Sequence, residues 1–264
     1  MNDPPYKSNM FIFQKINIII HIIMFDIVIP VGPKDISVID KQIEYTKQNI
    51  IGYRNIYLVT PIEEFYIDGC ITIPENIFPF SIETIAEFHG KNERNGWYLQ
   101  QLIKLYAGII IPNIEDKYLV IDSDTFFLKP TTFITDNKCL YNYGSEYHKP
   151  YFNHMYKLDT SLKRQIEDKS GICHHMIFET KYVNELINRI ETAHNDIFYN
   201  IFLKNVEPQH ILGSGASEYE IYFNYMILNH SSEIMIRELK WKNYHTLIKN
   251  ENYDYISVHY WNRQ

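Results

Sequence analysis

The sequence predicts a single α/β domain, Rossmann-like, with a central, mostly parallel sheet flanked by helices. Short apolar runs rich in β-branched residues recur through its first half, each closed by Gly, Pro or Asp. Between them lie longer stretches with apolar residues at helical spacing. The order strand, helix, strand is set within the first sixty residues, the start of a βαβ unit.

Phe25-Asp-Ile-Val-Ile-Pro-Val31 is the first predicted strand, with Gly32-Pro33 turning the chain at its carboxyl end. Residues 36–50 carry a helical pattern, Asn55–Thr60 form a second strand ended by Pro61, and residues 70–73 a short third. Within residues 94–110, Leu99, Leu102, Ile103 and Tyr106 recur at i, i+3, i+4 and i+7, with Gln100, Gln101 and Lys104 on another face. Lys117–Ile121 is a further strand whose tip carries Asp122-Ser123-Asp124. Past about residue 135 the pattern is less regular, with helices expected near 181–194 and 218–229. No repeat, low-complexity tract or linker interrupts the chain, so residues 24–264 are expected to form one domain.

Residues 1–23 stand apart. The segment Met10–Met24 is apolar but broken by Gln14, Lys15, Asn17 and His21. It falls short of the ~20 mostly apolar residues of a spanning helix, and it lacks a clean signal-cleavage pattern. Because Met24 stands directly before the first strand, the segment is read as a dispensable extension or a misassigned start. A membrane-associated segment and an extra structural element are the alternatives.

Composition narrows the function classes. Of 264 residues, 45% are hydrophobic and 22% charged, the balance of a folded globular protein. A net charge of −7 argues against nucleic acid as a partner. Cys70, Cys139 and Cys173 are odd in number and widely spaced, so neither a disulfide framework nor a zinc pattern is present and a reducing, cytoplasmic setting is expected.

Four groups of residues carry candidate chemistry. Asp122 and Asp124 end a buried-looking strand, where ionised groups are costly unless a cation compensates them; oxygen ligands there suit Mg²⁺ or Mn²⁺. His259, in the apolar run Tyr255–Asn262, would favour Mn²⁺ if it joined them, although a lone His in an aromatic strand is commonly a core residue. Gly171 precedes His174 and His175 in SGICHHMIFE, where a glycine permits close backbone approach and the imidazoles can hydrogen-bond hydroxyls. In GSGASEYEIYFN, Ser217 is a helix N-cap, and Glu218 or Glu220 either favours the helix dipole or removes a proton from a substrate hydroxyl.

In this order the groups resemble the GT-A class of nucleotide-sugar-dependent glycosyltransferases. DKYLVIDSDTFFLKP is similar to the DxD strand of glycogenin-like enzymes. IPVGPKD, GWYLQQLIKLYAG, GICHHMIFE and SEYEIY are closer still to an uncharacterised glycosyltransferase family of bacteria and large DNA viruses. The resemblance covers roughly residues 25–262. It implies a metal held by Asp124 and His259, with Asp122 at the ribose or acting through water. It also implies a donor site with Pro30, Val31, Lys104, Ser123, Gly171, His174 and His175, and Glu218 or Glu220 as base, giving inversion, or retention as in glycogenin-like enzymes where neither carboxylate reaches the acceptor. The implied partners are a nucleoside-diphosphate sugar, with UDP as carrier, and a glycan or other hydroxyl acceptor; neither nucleic acid nor membrane is expected. A phosphatase, a nucleotidyltransferase and a non-catalytic carbohydrate-binding protein are the rival readings. In the first, Phe126 stands where its motif needs Thr or Val; the second lacks a basic or Gly-rich phosphate loop after the first strand.

Overall fold

The computed structural model describes residues 24–248 and 252–263, so the expected extension over residues 1–23 lies outside the described residues. β1 (Phe25–Pro30) is buried throughout and leads through a turn at Pro33–Asp35 into α1 (Ile36–Asn49). β2 (Ile50–Ile51), β3 (Tyr53–Thr60) and β4 (Ile71–Pro74) follow, then α2 (Ile82–His89) and α3 (Asn95–Ile110). Next come β5 (Lys117–Ile121), β6 (Thr125–Phe127), β7 (Thr131–Thr132), β8 (Ile134–Thr135) and β9 (Lys138–Asn142). α4 (Lys149–Leu158), β10 (His175–Glu179), α5 (Thr180–His194), α6 (Phe198–Lys204) and α7 (Glu218–His230) complete the helical part. The chain closes with β11 (Ile234–Arg237), β12 (Trp241–Asn243) and β13 (Tyr255–Ser257).

The central sheet has the order β10-β5-β1-β3-β4. β5, β1, β3 and β4 are parallel, and β10 joins β5 antiparallel. The expected α/β domain with a mostly parallel sheet is thus observed, with α3 packed on β1, β5 and β10, and α5 on β10. From β1 the chain steps outward through β3 to β4, then returns to the other side of β1 as β5. That reversal makes the carboxyl ends of β1 and β5 a topological switch point, where open sheets leave a crevice. Asp122–Asp124 sit at the β5 end of it.

Two smaller sheets, β12-β13-β6 and β11-β9-β8, and the β2-β7 pair lie outside the central sheet. The first decides the site, because β6 follows the Asp-Ser-Asp triplet directly and pairs antiparallel with β13, Thr125 opposite Ser257. β10 and β13 fall in the expected apolar runs of SGICHHMIFE and Tyr255–Asn262, whereas α2, α4, α6 and the strands β7, β8, β9, β11 and β12 lie outside the expected elements. They are brief and aromatic, stabilised by burial of residues such as Met155, Leu158, Phe198 and Phe202 rather than by a visible period. Among the described residues no helix is long and apolar enough to cross a membrane.

The start of the sheet is fixed by one buried carboxylate. Asp26 is fully buried, and its Oδ1 accepts from Arg54 Nε at 3.1 Å and the Asn55 amide at 3.0 Å. Its Oδ2 accepts from Arg54 Nη2 at 2.6 Å and the Glu115 amide at 2.8 Å. This joins β1, β3 and the approach to β5 at one end. Arg54→Met should destabilise the protein by about 1–3 kcal/mol, below the full cost of breaking a buried pair because two amides still serve Asp26. Urea denaturation would measure it, with the slope unchanged.

Candidate functional site

The crevice opens into a cleft of about 960 Å³, within the range of small-molecule sites. The tip of β5 forms its floor. Pro30 and the Gly32–Asp35 turn come from β1, Trp97, Gln100, Gln101 and Lys104 from α3, and Glu218 and Tyr219 from the start of α7. Trp241 and the His259–Trp261 segment close the remaining side.

Asp122 is held from three directions. Its Oδ1 accepts from Lys104 Nζ at 2.6 Å and from the Tyr219 hydroxyl at 2.9 Å, while Oδ2 faces His174 Nδ1 at 3.3 Å. Lys104 also donates to Glu218 Oε1 at 2.8 Å, so one ammonium lies between two carboxylates. Burial works against the charge of Lys104, but Asp122 and Glu218 more than offset it and raise its pKa. Burial also penalises the Asp122 carboxylate, yet Lys104 and His174 hold it well below the usual range. At Glu218 burial prevails over Lys104, and the carboxyl titrates above an ordinary Glu.

Asp124 has a different partner. Its Oδ2 meets His259 Nδ1 at 2.9 Å, although the two lie 135 residues apart. The pairing of β6 with β13 brings them together: the Val258 amide donates to the Asp124 carbonyl at 2.8 Å, and the Thr125 and Ser257 hydroxyls meet at 2.8 Å. Burial opposes protonation of His259, but the hydrogen bond to Asp124 and the negative charges of Asp124 and Asp122 together outweigh it and raise the pKa. His174 has φ +60°, a left-handed conformation unusual for a residue with a side chain. Its carbonyl accepts the Asp122 amide at 2.9 Å, which ties the strained residue to the triplet.

The expected residues divide into two sets. Pro30, Lys104, Asp122, Ser123, Asp124, His174, Glu218 and His259 line the cleft. Val31, Gly171, His175 and Glu220 do not, and each has a packing reason. Val31 is buried behind the β1 tip. His175 points into the aromatic cluster of Phe127, Phe133 and Tyr255, where burial pushes its pKa down to about 3. A Cβ on Gly171 would lie 2.6 Å from the Tyr219 carbonyl oxygen and 2.7 Å from Phe223 Cβ, so its bareness serves the close approach to α7. Glu220 accepts from the Ser170 hydroxyl, the Gly171 amide at 3.2 Å and Asn224 Nδ2 at 3.0 Å, latching that approach from below the cleft. Ser217 is the N-cap as expected, its hydroxyl accepting the Glu220 amide at 3.2 Å.

Several site residues were not singled out from the sequence. Asp35 accepts from Ser123 Oγ at 2.7 Å with one oxygen and from Arg263 Nη2 at 2.7 Å with the other. Arg263 also donates to the Lys34 carbonyl at 2.9 Å and the Val258 carbonyl at 3.0 Å, clasping the end of the chain to the β1 turn. Tyr219, Trp241 and Trp261 were likewise not singled out. The signals available were the motif IPVGPKD, which Asp35 closes at the first strand's tip, and SEYEIY, which contains Tyr219.

The set was tested for a divalent ion. Among the described residues no group of three or more His, Cys, Asp and Glu is gathered to hold a metal by itself. Asp124 and His259 remain as a two-residue donor set facing the cleft, while Asp122 is occupied by Lys104, Tyr219 and His174. Two protein ligands fit Mg²⁺- or Mn²⁺-type sites completed by water and substrate phosphate. The proton on the Asp124–His259 hydrogen bond would have to leave as the ion entered.

A family model matches residues 39–261, described as a family of unknown function (DUF6492). The chain belongs to that family. The DUF6492 match takes in Lys104, the Asp122–Asp124 triplet, Glu218 and His259, whereas Asp35 precedes it and Arg263 follows it. A search of curated proteins found no match to this DUF6492 chain.

One further carboxyl on the cleft wall makes a pH prediction. Glu75, just past β4, has its pKa pushed up by burial to about 7. Folding therefore favours its protonated form, and the stability of the native protein should fall as pH rises from about 4.5 to about 7. Glu75→Gln removes this dependence. Its melting temperature relative to the native protein should increase between pH 5 and pH 8, and equal differences at both would show that Glu75 titrates normally.

Proposed function

We propose that this DUF6492 chain is a metal-dependent glycosyltransferase of the GT-A type. It moves a sugar from a nucleoside-diphosphate sugar, with UDP as carrier, to an acceptor hydroxyl. The observation that carries the reading is the Asp122-Ser123-Asp124 tip at the switch point, with His259 brought to Asp124 on the wall of a ligand-sized cleft.

Charge supports the same reading. Asp and Glu outnumber Lys and Arg seven to three on the described cleft wall. A diphosphate entering so acidic a site needs a cation brought with it. Asp124 and His259 would hold that ion, with the imidazole favouring Mn²⁺ over Mg²⁺. When bound it supplies Lewis-acid stabilisation to the departing diphosphate.

The chain's own residues account for the remaining steps. Pro30 and the Gly32 turn leave room for a base and ribose against the β1 tip. The hydrogen bond from Ser123 to Asp35 keeps the triplet's middle residue turned toward that side. Of the two candidate bases, Glu218 is the one on the cleft wall. As the acceptor oxygen bonds to the anomeric carbon and the bond to the diphosphate breaks, the hydroxyl proton passes to the Glu218 carboxylate, with inversion. Lys104 offsets part of the cost that burial imposes on that carboxylate and orients it through the hydrogen bond to its Oε1.

Mn²⁺ with UDP should raise the melting temperature, as any ligand of the native state does, and Asp124→Ala and His259→Ala should each remove the rise. No stabilisation by Mn²⁺ with either UDP or GDP would sink the reading. Glu218→Gln should keep the rise but lower transfer by about 10²-fold or more, the usual scale for a general base. Undiminished transfer in that variant would remove Glu218 from the chemistry.

A further inference from the structure

All three tryptophans of the chain, Trp97, Trp241 and Trp261, line this one cleft. Two of them end a row of four rings along one side of it. Trp241 meets His174 edge-on at 4.9 Å between centroids, His174 meets His259 at 4.8 Å, and His259 stacks on Trp261 at 4.5 Å with planes 17° apart. Each imidazole also touches one carboxylate of the triplet, His174 at Asp122 and His259 at Asp124.

The row is backed on one side and open on the other. Trp241 lies flat on Tyr255, planes 9° apart, so it is braced by the core. Trp261 is braced by His259 yet remains 61% exposed. Leaving that much indole in water forgoes part of the roughly 1.5–3 kcal/mol that burying a large apolar side chain yields. An exposed apolar surface inside a polar cleft marks a binding site. A braced indole with carboxylates and imidazoles at its edge suits a ligand with one flat apolar face and a polar rim. A pyranose ring is such a ligand: its axial C–H bonds form the face and its hydroxyls the rim.

Two observations favour a neutral saccharide over a nucleobase at this place. β10, which His174 directly precedes, flanks β5 on the side away from β1, β3 and β4, so the Trp241–His174 end of the row lies away from the β1 turn assigned to the base. The acidic surplus of the wall also disfavours an anionic ligand that arrives without a metal, whereas carboxylates and imidazoles accept hydrogen bonds from neutral hydroxyls. We infer that the Trp241–His174–His259–Trp261 row seats the acceptor, and that the acceptor is a neutral saccharide. The word acceptor rests on the transferase reading; the saccharide site does not.

The test is tryptophan fluorescence of the full chain in EDTA, without nucleotide, titrated with maltotriose, cellotriose, chitotriose and lactose. Saturable quenching by at least one of them is expected, weakened about tenfold or more in Trp261→Ala. That variant should fold, since the side chain is mostly exposed, and its melting curve would verify this. Trp261→Phe should retain part of the affinity, because a smaller ring still offers a face. Quenching by none of the four sugars would overturn the inference, as would binding undiminished in a folded Trp261→Ala protein. Quenching by UMP instead, lost in that variant, would give the row to the nucleobase and overturn it as well. These outcomes separate from the Mn²⁺–UDP measurement: saccharide binding without any Mn²⁺–UDP stabilisation would keep the site and remove the transferase.

Discussion

The ammonium of Lys104, enclosed by Asp122 and Glu218, is the interaction on which the rest of the site depends. Two carboxylates converge there from different elements, the tip of β5 and the first turn of α7. Left alone in a low-dielectric pocket they would repel each other and take up protons. Lys104 reaches them from the middle of α3, and its Nζ also lies 4.5 Å from the centre of the Tyr219 ring. Removing one partner from such a buried group costs about 3–5 kcal/mol, because a charge is left without compensation. The same ammonium therefore supports the junction of three elements and favours the ionised form of both carboxylates.

Around that point, backbone and side chains divide the work. The main chain places His259: β13 pairs with β6 immediately after the triplet, and one hydrogen bond beyond the ladder brings Val258 to Asp124. Side chains then orient what the backbone has placed. Asp35 couples Ser123 to Arg263, and Tyr219 and His174 fix the two oxygens of Asp122. A site built this way, on short turns tied directly to a strand tip, a helix start and a paired terminal strand, is positioned by those elements, which suits chemistry that needs position above all.

The strands were legible where burial was uniform. β1, β3 and β5 announce themselves as β-branched runs because both faces of a parallel sheet are covered, and α3 because one stripe faces that sheet. The Ser217 cap was visible because a hydroxyl before a helix has one dominant use. By contrast α4, α6 and most strands of the small sheets were not visible, β13 in its apolar run being the exception. Their lengths are too short for a period to show, and distant aromatic partners stabilise them. Gly171 illustrates a related limit. The sequence shows that a bare backbone is needed there, but not whether a ligand or a helix approaches it; here it is α7.

Glu218 and Glu220 mark the boundary between the two kinds of knowledge. Residues two apart on a helix point about 200° from each other, so only one of the pair can face the cleft, and the sequence treats them alike. The docking of α7 against α3 and the Ser170–Gly171 segment turns Glu218 toward Lys104 and Glu220 into the packing beneath. The sequence by itself determined the α/β class, the strand that ends in two carboxylates and the histidine near the chain's end, because these follow from local periodicity and residue chemistry. Only the tertiary structure decided that His259 meets Asp124, that Asp122 is neutralised by Lys104, and that the three tryptophans share one cleft. Those are long-range pairings set by strand register and by the burial of charge, and neither is written in any local pattern.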